Sequence, residues 1–261
     1  MSFTTIGTIN SLITVVSNSK PKPYEPPVLP SPSAWYKFNI NTDICGNRDW
    51  LYYNYANGLY DASLNSYSTF FPTAGNCFLY TPSPPSTYIS PTVYYTNGLG
   101  GTSGNFSNIC IQNKIYTPST GFTICFWYNT TTINGNGHQV LNLTGGTSGS
   151  NQFGIFCQTS NWVFQMAGTT YTVASFGSYN VWSHNAFVLT QTADLNTLLR
   201  YYKNSVLTAT ITIPRAFPAN STFSNSQLGI NRTAANYTSD FRFFPNVLSQ
   251  NDIYSIYIFR N

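Results

Sequence analysis

The chain is short of charged residues. Asp, Glu, Lys and Arg make up 7% of its 261 residues, against about 25% in an average soluble domain. Glutamate occurs once, at Glu25, and the 11 basic residues are scattered along the chain. Nucleic-acid binding needs a concentrated basic face that displaces counterions from the phosphates. We therefore expect no nucleic-acid partner.

Long apolar runs and paired cysteine motifs are also missing. No stretch approaches the roughly 18 apolar residues that span a bilayer, and the N-terminus lacks the basic region and long apolar core of a signal peptide. The five cysteines have irregular spacing and no Cys-x-x-Cys pair, which favours buried thiols over disulfides or a zinc site. We expect no membrane span, no signal peptide, and folding in a reducing compartment.

Aromatic and uncharged polar residues take the place of charge. Hydrophobic residues account for 42% of the chain and aromatic residues for 17%, which excludes a disordered composition. Abundant Thr, Tyr, Phe, Val and Ile favours strands. Alternating residues predict hairpins over residues 153–166 and 198–213, the second turning at Asn204 and Ser205. With continuous apolar runs such as residues 122–128, the pattern predicts two sheets packed face to face.

Period-two alternation also assigns residues to faces of two predicted strands. On the first strand, four residues are predicted to face away from Phe187 and Leu189: Trp182, His184, Ala186 and Val188. On the last strand of the second hairpin, four residues are predicted to share a face: Leu207, Ala209, Ile211 and Ile213.

One short helix is predicted near the end of the chain. Ser249 can cap its N-terminus, with Asp252 three residues later acting as the Glu of a capping box does. Leu248 and Ile253 occupy the positions of a hydrophobic staple. The helix is predicted to cover about residues 250–258.

Residues 1–33 are predicted to form an extended N-terminal arm, separate from a domain at residues 34–261. Six prolines between residues 20 and 32 favour the extended polyproline II conformation. Two interpretations are open: a disordered tail, or an arm whose first strand adds to the sheet edge of another molecule. The β-propensity of residues 11–16 favours the arm. The residues predicted to make its contacts are Leu12, Val15, Tyr24, Pro26, Pro27 and Leu29.

Five short motifs occur in the order typical of concanavalin-A-like, laminin-G-type domains. They are Phe-Thr-Ile-Cys-Phe-Trp at 122–127, Trp-Ser-His-Asn-Ala at 182–186, Tyr-Tyr-Lys-Asn at 201–204, Leu-Gly-Ile at 228–230, and the segment at 240–253 that begins Asp-Phe-Arg. The chain resembles this family. The resemblance implies an all-β jelly-roll sandwich of two antiparallel sheets over residues 34–261.

A narrower resemblance rests on composition. The chain is low in charge and rich in Asn, Thr and Tyr, and residues 60–64 read Tyr-Asp-Ala-Ser-Leu. In these features it resembles laminin-G-like proteins of large nucleocytoplasmic DNA viruses. This resemblance implies a virion-associated protein, assembled in the host cytoplasm.

The residues needed for catalysis on this fold are missing from the sequence. Glycanases of the fold use paired carboxylates as acid and nucleophile, whereas Glu25, the only glutamate, lies in the predicted arm. His138 and His184 have no evident carboxylate partner for a nucleophilic triad. We predict that the chain is not an enzyme.

Two kinds of binding site remain possible. Calcium would need several oxygen ligands, and the weak candidates are Asp43, Asp61 and Asp240; no other cofactor is expected. Binding of glycans without metal would need an aromatic platform, for which the candidates are Trp50, Tyr52, Tyr94 and Tyr95.

Charge-poor, aromatic-rich surfaces also suit permanent protein–protein contacts. The leading hypothesis is therefore a non-catalytic structural protein, a minor capsid or capsid-associated component of a virion, whose arm anchors it to other structural proteins. The alternative is a lectin-like adhesion module that recognises glycans on a virion or cell surface.

Overall fold

A computed structural model of the chain describes strands that pack in two layers, followed by a C-terminal helix. The residues that it describes are 28–36, 41–43, 50–54, 56, 59–66, 77–80, 93–96, 107–111, 115–130, 138–144, 153–218, 220–223, 225–230 and 236–258. All structural statements below concern these residues.

The described strands are longest after residue 120, where three of them have nine or ten residues. In chain order they are β1 Ala34–Tyr36, β2 Asn41–Asp43, β3 Trp50–Asn54, β4 Leu59–Ser66, β5 Cys77–Tyr80, β6 Val93–Thr96, β7 Ser107–Ile111, β8 Ile115–Thr117, β9 Gly121–Thr130, β10 His138–Thr144, β11 Phe153–Gln158, β12 Asn161–Met166, β13 Thr169–Ser175, β14 Ser183–Gln191, β15 Thr197–Lys203, β16 Val206–Ile213, β17 Ser221–Phe223, β18 Asn225–Ile230 and β19 Asn236–Phe244. Helix α1 covers Gln250–Ile258.

The strands pair into two large antiparallel sheets. The helix-side sheet has the order β16-β15-β14-β9-β19-β6-β5, with β1 also paired to β19. The second sheet has the order β13-β12-β11-β10-β18-β7-β4-β3-β2, and β8 pairs with β17 apart from both. Strands that are distant in sequence are neighbours in each sheet, as in a jelly roll. The predicted all-β jelly-roll sandwich of two antiparallel sheets is confirmed.

The core between the sheets is dominated by aromatic side chains. The ring of Phe126 on β9 lies 5.7 Å from Trp162 on β12 and 5.9 Å from Phe187 on β14, measured between ring centroids. Phe122, also on β9, stacks 5.4 Å from Phe153 of the second sheet. Full burial of such side chains stabilises the fold by roughly 1.5–3 kcal/mol each, so contacts between the sheets hold the sandwich together.

A second apolar cluster covers the outer face of the helix-side sheet. Ile253 and Ile256 of α1 are fully buried there, against Cys125 of β9 and Ala186 and Val188 of β14. Alternate residues of β14 belong to this cluster and to the inter-sheet core, which confirms the predicted division of its faces. Because both faces of β9 and β14 are covered, these strands are buried along almost their whole length.

Both predicted hairpins are present, and their turns have left-handed backbone conformations. Thr159 and Ser160 join β11 to β12 with φ angles of 47° and 68°, and Asn204 and Ser205 join β15 to β16 with 49° and 68°. Two-residue turns with positive φ match the right-handed twist of the strands that they connect. The two hairpin predictions are confirmed.

One face assignment in the second hairpin is wrong. The pairing of β15 with β16 shifts between Tyr201 and Tyr202, so that Tyr201 lies opposite Ala209 but Tyr202 lies opposite Leu207. Tyr201 belongs to the inter-sheet core and Tyr202 to the outer cluster. Since paired residues share a face, this bulge places Leu207 on the outer face, whereas Ala209 faces the core. Strict alternation cannot reveal such an extra residue.

The chain contacts the sandwich before the predicted boundary at residue 33. Leu29 is half-buried and packs against the cluster under α1, whereas Val28 is 98% exposed. The N–H of Ser33 donates a 2.8 Å hydrogen bond to the carbonyl of Phe243. Leu29, predicted to contact another molecule, therefore packs on its own domain. The other predicted contacts of the arm lie outside the described residues: Leu12, Val15, Tyr24, Pro26 and Pro27.

The C-terminal helix begins at a capping box, as predicted. The N–H of Asp252 donates to Ser249 Oγ at 3.2 Å, and the N–H of Ser249 donates to Asp252 Oδ2 at 2.9 Å. Leu248 and Ile253 are both buried, as the staple requires. The cap orients α1 so that its apolar residues cover the outer face of the sheet.

We predict that Ser249→Ala lowers the free energy of unfolding by about 0.5–2 kcal/mol, because the first turn of α1 loses its side-chain acceptor. Urea denaturation followed by tryptophan fluorescence measures the change. Ser255→Ala is the matched control, because this serine lies in the helix interior, where alanine is at least as favourable. Equal stability of the two variants would contradict the capping role.

Candidate functional site

The three aspartates predicted as calcium ligands lie in both sheets. Asp43 ends β2 and Asp61 lies in β4, both in the second sheet, whereas Asp240 lies in β19 of the helix-side sheet. Within the described part of the chain, no three His, Cys, Asp or Glu side chains lie close enough together to hold a metal ion. Calcium binding stays a prediction, with Asp43 and Asp61 as its remaining candidates for the reason given next.

Asp240 is the acceptor of a buried clasp that also contains Arg242 and Trp35. Arg242 donates from Nε to Oδ1 at 3.0 Å and from Nη2 to Oδ2 at 2.9 Å, and Trp35 Nε1 donates to Oδ1 at 2.7 Å. The Arg242 guanidinium also lies 4.2 Å from the centre of the Trp35 ring, a cation–π contact. Both carboxylate oxygens of Asp240 thus bind donors of its own chain, and its charge is balanced.

A β-bulge creates this clasp. The pairing of β19 with β9 shifts between Ser239 and Arg242, and Asp240 has a φ of 51°. Aspartate tolerates this left-handed conformation better than most residues. Trp35 on β1 lies directly opposite Arg242 in the strand pairing. The clasp therefore fastens β1 to β19, the first and last strands among the described residues.

The other described carboxylates also have ordinary structural positions. Asp252 caps α1, and Asp194 is exposed in the turn between β14 and β15. Glycoside hydrolysis needs two carboxyl groups about 5–9.5 Å apart, on either side of the scissile bond. Among the described residues, Asp194, Asp240 and Asp252 do not form such a pair, because Asp240 is buried with Arg242 and Asp252 is bonded to Ser249.

His184 packs in an aromatic cluster on the outer face of the helix-side sheet. Its ring lies 5.5 Å from Trp127 of β9 and 5.9 Å from Tyr257 of α1, between ring centroids, and the residue is 1% exposed. Its backbone N–H donates to Asn204 Oδ1 at 2.9 Å, which fixes the turn between β15 and β16. These contacts agree with the packing role predicted from the sequence.

Two cysteines are enclosed by the sandwich and its helix. Burial raises the pKa of the Cys125 thiol far above its usual value, and burial raises the pKa of the Cys157 thiol in the same way. A thiol must lose its proton to act as a nucleophile. Cys125 and Cys157 therefore remain protonated at neutral pH and behave as small apolar side chains, as their sequence contexts predict.

One end of the sandwich carries an exposed aromatic group among polar residues, which we call the tyrosine rim. It consists of Ser160, Asn161, Tyr179, Asn180 and Val181. Tyr179 is 40% exposed, and its hydroxyl lies 3.3 Å from Ser160 Oγ. Val181 is 55% exposed. An exposed ring beside amide and hydroxyl groups can contact a ligand through both its face and its neighbours.

Backbone hydrogen bonds hold the tyrosine rim in place. The N–H of Phe176 donates to the carbonyl of Ser160 at 3.1 Å, and the N–H of Asn180 donates to the carbonyl of Thr130 at 2.8 Å. These bonds tie the loop after β13 to both sheets. The Phe176 ring packs edge-on against Tyr179 at 5.5 Å. The rim is therefore preorganised, which lowers the entropic cost of binding.

A positive charge lies close to the tyrosine rim. Gly177, with a φ of 101°, leaves room for the ammonium group of Lys203, which a Cβ at that position would strike. The side chain of Lys203 is half-buried. This end of the sandwich thus combines one cation with neutral polar groups and a tyrosine.

The four residues predicted to form an aromatic platform lie elsewhere. Trp50 and Tyr52 lie in β3 of the second sheet, whereas Tyr94 and Tyr95 lie in β6 of the helix-side sheet. The fold therefore divides the four residues between the sheets, and a platform at either pair stays a prediction. The signal that could have indicated the tyrosine rim is the Ser-Tyr-Asn sequence at residues 178–180, which places Tyr179 between two polar residues.

The chain belongs to the concanavalin A-like lectin/glucanases superfamily. Residues 103–254, more than half of the chain, match the laminin-G-type family of that superfamily, which confirms the resemblance seen in the sequence motifs. No curated protein matches the chain in sequence. No helix among the described residues is long and apolar enough to cross a membrane.

Solved structures of similar fold include receptor-binding domains of botulinum neurotoxins. The receptor-binding domain of type G superposes with a TM-score of 0.58 at 12% identity, over 87% of this chain and 51% of that one. The binding domain of neurotoxin DC, solved in complex with rat synaptotagmin II, gives 0.58 at 16% identity, over 87% and 51%. This chain spans about half the length of those structures, and the likeness establishes the fold.

The buried clasp yields a prediction about stability. Arg242→Met leaves the Asp240 carboxylate buried without its cation, so we expect the free energy of unfolding to fall by about 3–5 kcal/mol. Adding Asp240→Asn to this variant removes the unpaired charge and should restore part of the loss. Denaturant titration measures both changes.

The exposed Arg215 supplies the control for this prediction. Arg215→Met should change the free energy of unfolding by no more than about 0.5 kcal/mol. Losses of equal size at Arg215 and Arg242 would show that the clasp adds nothing to the effect of removing a positive charge.

Proposed function

We propose that the chain is a non-catalytic binding module that makes lasting contacts with other structural proteins of an assembly. The observation that carries this proposal is the division of roles between interior and surface. Asp240, Arg242 and Asp252 form contacts within the fold, while several large hydrophobic side chains are exposed at the surface: Val28, Tyr116, Tyr179, Val181, Leu195, Val206, Leu207, Val247 and Tyr254. Such surfaces resemble protein interfaces, where charge is depleted and tyrosine enriched.

The specific form of the proposal is a virion component, either a minor capsid or a capsid-associated protein. Its support is the composition and the motif at residues 60–64, which are similar to those of viral laminin-G-like proteins. In this role the segment before Leu29 anchors the domain to its neighbours, and assembly takes place in the host cytoplasm. The similar solved structures, which are binding domains by their titles, support a binding role for this fold without identifying a partner.

We predict that particles purified from the source contain the chain, and that washing with about 1 M salt does not release it. Contacts between neutral surfaces depend little on screening, because salt at that concentration shortens the range of electrostatic attraction to about 3 Å. Quantitative mass spectrometry of washed particles measures the retained fraction. Recovery only from the soluble fraction, or release by salt alone, would contradict the proposal.

Glycan binding is a second candidate function, and the tyrosine rim is the observation that favours it. Sugar rings pack on exposed aromatic faces while their hydroxyls bond to amide and hydroxyl groups. Tyr179 offers the face, and Ser160, Asn161 and Asn180 offer polar groups on a backbone held by hydrogen bonds. In this role the chain is a lectin-like adhesion module on a virion or cell surface.

We predict that, if this second function holds, the full chain binds at least one class of neutral glycan on an array without added calcium. Tyr179→Ala should reduce the signal at least tenfold, because the aromatic face is removed. The matched control is Tyr116→Ala, which removes an exposed tyrosine of β8 that bonds to Asn220 and is not part of the tyrosine rim. An array without signal, with and without calcium, would exclude the lectin function.

A further inference from the structure

One flank of the sandwich has strand edges that carry no charge. Strand β16 ends the described order of the helix-side sheet, and β13 ends that of the second sheet. The two strands are close to each other but do not pair. Neither strand contains Lys, Arg, Asp, Glu or Pro. Natural proteins normally protect an edge strand with such residues, because its unpaired N–H and C=O groups attract any other extended chain.

Strand β16 is the more receptive of the two edges. Val206 is 62% exposed and Leu207 is 45% exposed, at the beginning of the strand. Thr208, Thr210 and Thr212 are exposed along the rest of it. The strand is thus neutral and rich in β-branched residues, and its outward-facing side chains are exposed, which favours the addition of a further strand.

The N-terminal segment has the matching chemistry. Residues 4–17 contain no charged residue and no proline, and residues 11–16 read Ser-Leu-Ile-Thr-Val-Val. This run has the same β-branched, neutral character as β16. A strand of this composition gains hydrogen bonds along its backbone when it adds to an open edge, and it places no charge in the contact.

The position at which this segment leaves the domain is compatible with such a contact. Leu29 packs under α1 on the outer face of the helix-side sheet, and the preceding Val28 is almost fully exposed. The prolines between residues 20 and 32 favour an extended spacer of about 3.1 Å per residue, or roughly 35 Å between residues 17 and 28. A spacer of this length allows residues 11–16 to reach a neighbouring molecule.

We propose that residues 11–16 of one copy add as a further strand to the free edge of β16 in a second copy of this chain. The inference rests on the proposed assembly role, for which it names one partner and the surface that receives it. The contact is formed by backbone hydrogen bonds and apolar side chains, so it is insensitive to salt.

The test uses two defective variants of the full chain. The arm variant carries Ile13→Asp and Val15→Asp, and the edge variant carries Thr208→Lys and Thr210→Lys. Sedimentation velocity at tens of micromolar should give the mass of two or more chains for the unaltered protein and of one chain for each variant. An equimolar mixture of the variants should recover a two-chain complex, because one supplies an intact arm and the other an intact edge.

Matched controls place the same charges elsewhere. Asn18→Asp with Ser19→Asp lies outside the apolar run, and Thr170→Lys with Thr172→Lys lies on the neighbouring edge strand β13. Both control proteins should associate as the unaltered chain does. Thermal unfolding of every variant establishes that it is folded before its mass is interpreted.

Several results would overturn the inference. These are an unaltered chain that sediments as one molecule, an arm variant that still associates, or a mixture that does not regain the two-chain mass. Loss of association in the β13 control instead of the edge variant would also overturn it. A monomeric chain that is nevertheless retained in washed particles would leave the assembly role standing, so the two proposals fail separately.

Discussion

Burial of the central strand β9 on both faces is the constraint on which the rest of the structure depends. Alternate residues of this strand supply Phe126 to the inter-sheet core and Cys125 to the cluster under α1. A sheet with two apolar faces must be covered twice. The second sheet covers one face, and the other is covered by the capped helix together with Leu29, which draws the N-terminal segment onto the domain. The position at which the arm leaves the domain is therefore a consequence of how β9 is buried.

The scarcity of charge has a different meaning inside the molecule and on its surface. Inside, Asp240 and Arg242 are buried together, and removing either partner alone leaves an uncompensated charge. The bulge in β19 and the donor from Trp35 provide the geometry that such a pair requires. Elsewhere, neutral groups satisfy buried polar atoms: Tyr201 donates to Asn185 Oδ1 at 2.8 Å, and Asn185 donates to the Ser183 carbonyl at 2.8 Å. Two of the described carboxylates, Asp240 and Asp252, already have structural partners.

Local patterns predicted much of the fold, and long-range contacts account for what they missed. The hairpin turn at Asn204 and the capping box at Ser249 were correctly predicted, because the residues that form each signal lie within a few positions of one another in the sequence. The clasp joins Trp35 to Asp240, which are 205 positions apart in the sequence. The bulge that moves Leu207 to the other face has no local sequence signature. The tyrosine rim was missed for the same reason. Ser160 and Tyr179 lie in two different loops, which a backbone hydrogen bond from Phe176 to Ser160 brings together, and alternation along strands carries no information about contacts between loops.

A surface with few charges creates a problem that bears on function. An open, neutral edge such as β16 favours unwanted strand pairing unless something covers it, and the strand contains no lysine or proline to prevent this. A chain that keeps such an edge must either remain dilute or have it covered in its working state. The proline-rich segment before Leu29 connects the domain to a neutral run of the same character as the edge. Scarcity of charge, the unprotected strand and the proline-rich N-terminal segment are thus all accounted for by the proposed role within an assembly.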